Sequence, residues 1–124
     1  MTSSPIWLER TELLINKENL EKLAQLNVLI VGLGGVGSFA AEFLARAGIG
    51  IMTIVDGDVV DITNTNRQLP AMHSTVGKSK AVLMQERLLD INPALRLRTI
   101  NQSINPEESS HLVNSEAYDY VLDC

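Results

Sequence analysis

The sequence predicts an α/β fold: a parallel sheet of at least four strands, helices on both faces, and an N-terminal helical segment. Three observations carry that prediction. Two short, continuous apolar runs, NVLIV at 27–31 and IMTIV at 51–55, have the length and branched content of buried parallel strands. A glycine loop, Gly32 to Gly37, follows the first run and opens a helix. After the second run, helix-length and strand-length segments alternate to the end of the chain, the order that builds a parallel sheet through helical crossovers.

Taken in order, residues 5–26 read as helix in one or two pieces. Leu8, Leu14 and Ile15 mark an apolar face, and Asn16 can cap a second piece with the stripe Leu20, Leu23, Ala24. Strand 27–31 leads through the glycines into a helix of small residues at 37–47, which Gly48 ends as a C′ residue, with Arg46 suited to the negative end of the dipole. Strand 51–55 is followed by 19 residues, Asp56 to Ser74, without clear periodicity. A plain strand-to-helix link takes about 2–6 residues, so this excess points to function. Its middle, NTNRQLP, is expected to hold a short helix. Residues 75–91 read as a helix stopping before Pro93, and LRLRTIN at 95–101 as a strand. Asn105-Pro106-Glu107-Glu108 reads as a helix start with cap, N1 proline and capping-box glutamate. A last strand begins at 119–124. Residues 1–26 are thus expected to form a helical segment and 27–124 a nucleotide-binding domain truncated at its C-terminal end, because the chain stops inside a strand pattern.

With 124 residues, 45% hydrophobic and 20% charged, the chain suits one soluble globular domain. No apolar run reaches 18 residues, and MTSSPIWLER lacks the basic start and apolar core of a secretory signal. One cysteine, Cys124, excludes an internal disulfide framework and a zinc site of Cys-pair type within this chain, and a reducing cytoplasm is the expected setting. A net charge of −5 argues against a sequence-independent nucleic-acid binder. The charge is uneven, however. Residues 62–98 carry six basic and two acidic side chains, while the segments on either side are acidic. Such a block suits either an anionic ligand or a solvated helix face.

Gly32-Leu33-Gly34-Gly35-Val36-Gly37 fits G-x-G-x-x-G in the required place between strand and helix. Gly32 allows the tight turn, Gly34 lets backbone approach a phosphate, and Gly37 lets helix and strand pack closely, the pattern of a Rossmann-like domain. Asp56, 19 residues past Gly37 at the end of the second strand, suits a carboxylate that accepts hydrogen bonds from ribose hydroxyls. Asp58 is the less favoured alternative. Neither feature separates NAD from ATP. Asn64, Arg67 and Gln68 of the long loop, with Lys80 in the next helix, favour a triphosphate. It carries about four charges and calls for Arg and Lys clamps beside a metal, whereas a dinucleotide pyrophosphate can rest on the glycine loop and helix dipole. Lys78 reads as an ordinary exposed lysine.

These stretches, VLIVGLGGVGSFAAEFLARAGIGIMTIVDGD, NTNRQ, VGKSKA, INP and YDYVLDC in that order, resemble the ThiF/MoeB/HesA superfamily of ATP-dependent activating enzymes related to ubiquitin-activating enzymes. Within it, the N-T-N-R-Q form and the WLERTELL segment are most similar to the tRNA threonylcarbamoyladenosine dehydratases. The resemblance implies adenylation of a carboxylate with ATP and Mg2+. Gly32, Gly34 and Gly37 would form the phosphate-side turn, Asp56 would hold the ribose, and Asn64, Arg67, Gln68 and Lys80 would meet the phosphates. Arg10 looks like the arginine that such enzymes reach into a partner subunit's site, which implies a homodimer. The carboxylate would belong to a modified adenosine of tRNA, or to the C-terminal glycine of a ubiquitin-like sulfur-carrier protein. The family's metal-linked aspartate would fall two residues beyond Cys124, so the resemblance implies an N-terminal half. Two readings of other classes are an NAD-dependent oxidoreductase on the same glycines and a non-catalytic fragment. Cys124 itself reads as a small hydrophobe in a buried strand rather than a nucleophile. His73 has at most a minor place near Arg67, and His111 belongs on a helix surface.

Overall fold

The structure, a computed structural model, describes residues 4–124. Four parallel strands form one sheet in the order β3-β2-β1-β4, where β1 is Asn27–Val31, β2 Ile51–Val55, β3 Arg96–Ile100 and β4 Tyr120–Asp123. The order reverses between β1 and β4, so the carboxyl ends of those strands flank the crevice where open α/β sheets bind ligands. Four helices accompany the sheet: α1 Glu9–Leu23, α2 Gly37–Ala47, α3 Lys80–Ile91 and α4 Pro106–Val113.

Strand alternation divides the core. Val28, Ile30, Met52 and Ile54 point to one face, where Ala41 and Ala45 of α2 and Ala81, Met84 and Leu88 of α3 cover them. The alanines let both helices lie close to the sheet. Leu29 and Val55 point to the other face and meet Leu112 of α4. The helix ends behave as their residues dictate. Gly48 takes φ +96° at the end of α2. Asn92 is buried there, and its side-chain amide donates to the Ala45 and Ile49 carbonyls at 3.3 and 3.1 Å, tying the end of α2 to the end of α3. The Asn105 side chain accepts from Glu108 N at 2.8 Å, with Pro106 opening α4.

α1 is two pieces broken at Asn16, which has φ +70° and whose side chain accepts from Asn19 N at 3.0 Å. The second piece docks: Leu20 is buried, and Leu23 and Leu26 pack on the α2–α3 side of the core. The first piece does not present the face expected of it. Leu8 is buried, but Leu14 is 85% exposed, because the break turns this piece away from the sheet. Ala24 is exposed too, although its backbone lies against Gly50.

The expected helix over 75–91 also needs correction at its start. α3 begins at Lys80. Before it, Val60 N donates to the Lys78 carbonyl at 2.9 Å, Gly77 N donates to the Val60 carbonyl at 2.8 Å, and Gly77 adopts φ +84°. This antiparallel bridge of Val59 with Ser79, with the turn at 76–77, keeps these residues out of the helix. Ser79 then caps the helix through Val82 N at 3.2 Å. Lys78 therefore lies outside the helix and is exposed. The long crossover has two 3-10 turns, Ile62–Asn66 and His73–Thr75, so the short helix forms slightly N-terminal to NTNRQLP.

Candidate nucleotide site at the carboxyl edge of the sheet

The glycine turn is held by backbone. Gly32 takes φ +97° and donates its N–H to the Val55 carbonyl at 2.8 Å. A Cβ on Gly37 would overlap the Gly32 carbonyl oxygen, so β1 and α2 meet there at a distance only glycine permits. The residue before α2, Val36, offers no side-chain cap; Ser38 N donates to the Gly34 carbonyl at 3.1 Å, which leaves the other first-turn N–H groups to whatever enters the turn.

Asp56 follows β2 and closes the turn from beside it. One carboxylate oxygen accepts from Leu33 N at 2.8 Å, the other from Asp58 N at 2.7 Å. A carboxylate has about four acceptor sites, so two remain for hydroxyl donors. Next to it lies a cleft of about 190 Å³, bounded by Val31 and Gly32 on one side and Gln102, Ser103 and Ile104 on the other. A Cβ on Gly57 would overlap the Ser103 backbone nitrogen, so this glycine sets how closely the two loops approach. Gln102, Ser103 and Ile104 are absent from the sequence expectation. The available clue was topological: the loop after β3 must emerge at the same edge as the loops after β1 and β2.

The crossover arches over the turn. The Arg67 stem packs beside Gly35, 3.5 Å from where a Cβ would stand, and its guanidinium donates to the Asn66 side-chain oxygen at 2.9 Å. Arg67 is exposed and forms no ion pair among the described residues. Gln68 is buried with its amide nitrogen 3.5 Å from a Gly34 Cβ position, and its carbonyl oxygen has no hydrogen-bond partner. The Asn64 side-chain oxygen accepts from Asp61 N at 2.9 Å as part of the cap on the 3-10 turn, while its NH2, the group a phosphate would use, has no hydrogen-bond partner among the described residues. In the same cap, hydrogen bonds from the Thr63 side chain and then its backbone hold the Asp61 carboxyl below its usual range.

Lys80 is 5% exposed, and its ammonium has the exposed Asp58 carboxylate at 3.9 Å and lies near enough to Asp61 to act on that carboxyl too. The stem of Lys80 is thus packed away while its ammonium is held at the edge with no hydrogen-bond partner among the described residues, free to meet an incoming polyanion. The structure thus brings Gly32, Gly34, Gly37, Asp56, Arg67, Gln68 and Lys80 to one edge.

It does not bring Arg10 there. Leu8, two residues before it, packs at Gly48, ahead of β2, whereas Asp56 follows β2. Five strand residues, about 17 Å, separate the two edges. Cys124 is exposed rather than buried, with its N–H on the Val31 carbonyl and its Cβ against Gly37. Desolvation, and then the neighbouring Asp123 charge, push its thiol pKa up, which opposes a thiolate role. Asp123 faces the α4 side, as strand alternation requires. His73 and His111 are both exposed. Among the described residues no three His, Cys, Asp or Glu side chains converge as a metal cage.

The ThiF family model matches residues 8–124. The chain is 46% identical over 110 residues to the tRNA threonylcarbamoyladenosine dehydratase of Haemophilus influenzae, covering 89% of this chain and 42% of the relative. It is 49% identical over 114 residues to the enzyme of that name from Bacillus subtilis, covering 92% and 44%. The crystal structure of the E. coli tRNA N6-threonylcarbamoyladenosine dehydratase in complex with ATP superposes with a TM-score of 0.90 at 40% identity, over all of this chain and 52% of that one. The chain spans about half the length of these relatives. A family model that accounts for the sequence from Leu8 to Cys124, on a sheet whose turn and crossover converge as described, places this chain in the ThiF family.

Proposed function

We propose that this chain is the nucleotide-binding part of an enzyme that activates a carboxylate by adenylation with ATP. The observation that carries the reading is Lys80, whose buried stem holds an ammonium, paired only loosely with Asp58 at 3.9 Å, at the same edge as the glycine turn. Arg67 and Gln68, above Gly35 and Gly34, extend the same positive and polar wall.

In this reading the base lies in the cleft beside Gln102 and Ser103, and the ribose hydroxyls donate to Asp56. The glycine turn and the start of α2 hold the α-phosphate. The carboxylate oxygen attacks the α-phosphorus in line, and the bond to the β-phosphate bridging oxygen breaks. Pyrophosphate leaves with that electron pair, and an acyl-adenylate forms. Lys80 and Arg67 offset the charge that develops on the pyrophosphate, the electrostatic role that dominates such transfers. No side chain of this chain need be the nucleophile. The exposed Asp58 carboxylate, at the same edge as Lys80, is the group that would help hold a Mg2+ brought with ATP. When bound, the ion neutralises phosphate charge.

The likeness to the two dehydratases supports threonylcarbamoyladenosine of tRNA as the source of the carboxylate. An internal nucleophile then attacks the activated acyl carbon, AMP departs, and a ring closes, with loss of water overall. We assign Arg10 to the site of a second copy, since its own site lies across the sheet, and we place the reaction in the cytoplasm. The test is ATP–pyrophosphate exchange with the longest product of this reading frame. Exchange that depends on tRNA carrying threonylcarbamoyladenosine supports the proposal. Exchange driven instead by the C-terminal glycine of a sulfur-carrier protein replaces the substrate, and no exchange with either overturns the adenylation reading.

A further inference from the structure

Glu42 and Arg87 lie outside the turn and the crossover, and the steps above do not use them. Glu42 sits on α2 and is 7% exposed. One carboxylate oxygen takes the Arg87 Nε of α3, and the other takes Arg46 Nε, one turn further along α2, at 3.3 Å. Among the described residues this is the one ion pair that joins two helices.

Those two helices carry the two halves of the site. α2 starts at Gly37, about 7.5 Å of helix before Glu42, and α3 starts at Lys80, about 10.5 Å before Arg87. Their other shared packing is apolar: Ala41 and Ala45 of α2 and Ala81, Met84 and Leu88 of α3 lie in one core cluster, with Leu44 and Leu89 packed against it. Small apolar surfaces set the separation of two helices, but they are non-directional and leave sliding weakly opposed. An arginine–carboxylate hydrogen bond is directional. We propose that Glu42 and Arg87 are a positioning pair that fixes Lys80 relative to the glycine turn, and so sets the preference for a nucleoside triphosphate over a monophosphate.

The inference rests on the adenylation reading. Asp56, the base cleft and the glycine turn belong to β1, β2, α2 and their loops, and a monophosphate needs no more. The outer phosphates must also reach Lys80 on α3. A displaced α3 therefore weakens ATP and spares AMP. Arg87 holds the Glu42 carboxyl below its usual range, and Glu42 raises the guanidinium, so the pair stays charged at neutral pH. Loss of Arg87 leaves Glu42 its bond to Arg46, so the buried carboxylate is not stranded.

Calorimetric Kd values for ATP and AMP, measured on the longest product of the reading frame, test this. A misplacement of about 1 Å can cost up to about a hundredfold, so Arg87→Ala is expected to weaken ATP by about tenfold or more. AMP affinity stays unchanged, and Arg87→Lys restores most of the ATP loss. A purely structural pair lowers Tm but leaves the ATP-to-AMP ratio alone, and that result in folded Arg87→Ala overturns the proposal. Should Arg87→Ala fail to fold, Glu42→Gln, which keeps side-chain volume and a neutral acceptor, decides on the same ratio. A wild-type protein that binds neither nucleotide overturns the adenylation reading, and the positioning role falls with it. A wild-type protein that binds ATP while the ratio is unmoved in the variants overturns the pair alone.

Discussion

The glycine turn and the crossover meet at one edge of the sheet, but they are held there by different means. The turn is mainly backbone against backbone: Gly32 N on the Val55 carbonyl, and Gly37 against the Gly32 carbonyl, anchored by the side chains of Asp56 and Ser38, the latter donating to the Gly34 carbonyl. The crossover is stitched by its own side chains, Asp61 with Thr63, Asn64 with Asp61, Arg67 with Asn66, and Thr75 with Pro70 and Met72. Backbone can offer a phosphate amides and a helix dipole, about half a charge. It cannot balance a triphosphate. On the proposed reading, the turn supplies the general nucleotide contacts, and the crossover and α3 supply those for the outer phosphates.

The largest effect should come from breaking the turn. Gly37→Ala drives a methyl into a backbone carbonyl that cannot move aside, and is expected to cost about 3 kcal/mol in a urea melt and to abolish ATP and AMP binding together. Lys80→Met keeps the buried stem and removes the charge. ATP affinity should fall by about a hundredfold, equivalent to about 2–3 kcal/mol for a lost charge-assisted contact, while AMP affinity holds. Stability should hold, because the one ion pair lost, to the exposed Asp58 at 3.9 Å, is long and solvent-screened. Arg67→Ala removes an exposed cation, so about a tenfold loss of ATP affinity is expected with stability within about 0.5 kcal/mol of the parent.

The smallest effect concerns acid. The Glu42 carboxyl is lowered from 4.5, first by the Arg87 hydrogen bond, so its stabilisation is present above that pH and disappears as pH falls through the lower folded value. Thermal melts of Glu42→Gln should lose part of the Tm decline that the parent shows below pH 4.5.

The same contrast explains what the sequence disclosed. Elements fixed by local chemistry were legible: β1, β2 and α2 have the bounds that their apolar runs and glycines require, Asn16 and Asn105 cap where predicted, and Gly48 ends α2. Features fixed by distant pairing were not. The start of α3 depends on Val59 meeting Ser79, across 19 intervening residues that periodicity does not connect. Leu14 looked like core because the break at Asn16 changes the direction of the helix, not its pattern. In the site, the glycines, Asp56, Arg67, Gln68 and Lys80 could be picked out from motif and spacing. The cleft at Gln102 and Ser103 could not, since polar loop residues carry no sign of which strand end they will face. Asn64 was recognisable as a polar loop residue, but only the folded turn shows its oxygen committed to Asp61.

The central claim is that the crossover turns a general nucleotide site into one for ATP. Parallel calorimetric titrations of the longest reading-frame product with Mg-ATP and with NAD test it most directly. The account predicts a saturable ATP isotherm that collapses in Lys80→Met, and none with NAD. Saturable binding of NAD without ATP would contradict it, and would make Gly32 to Gly37 and Asp56 a dinucleotide site that Arg67 and Lys80 do not serve.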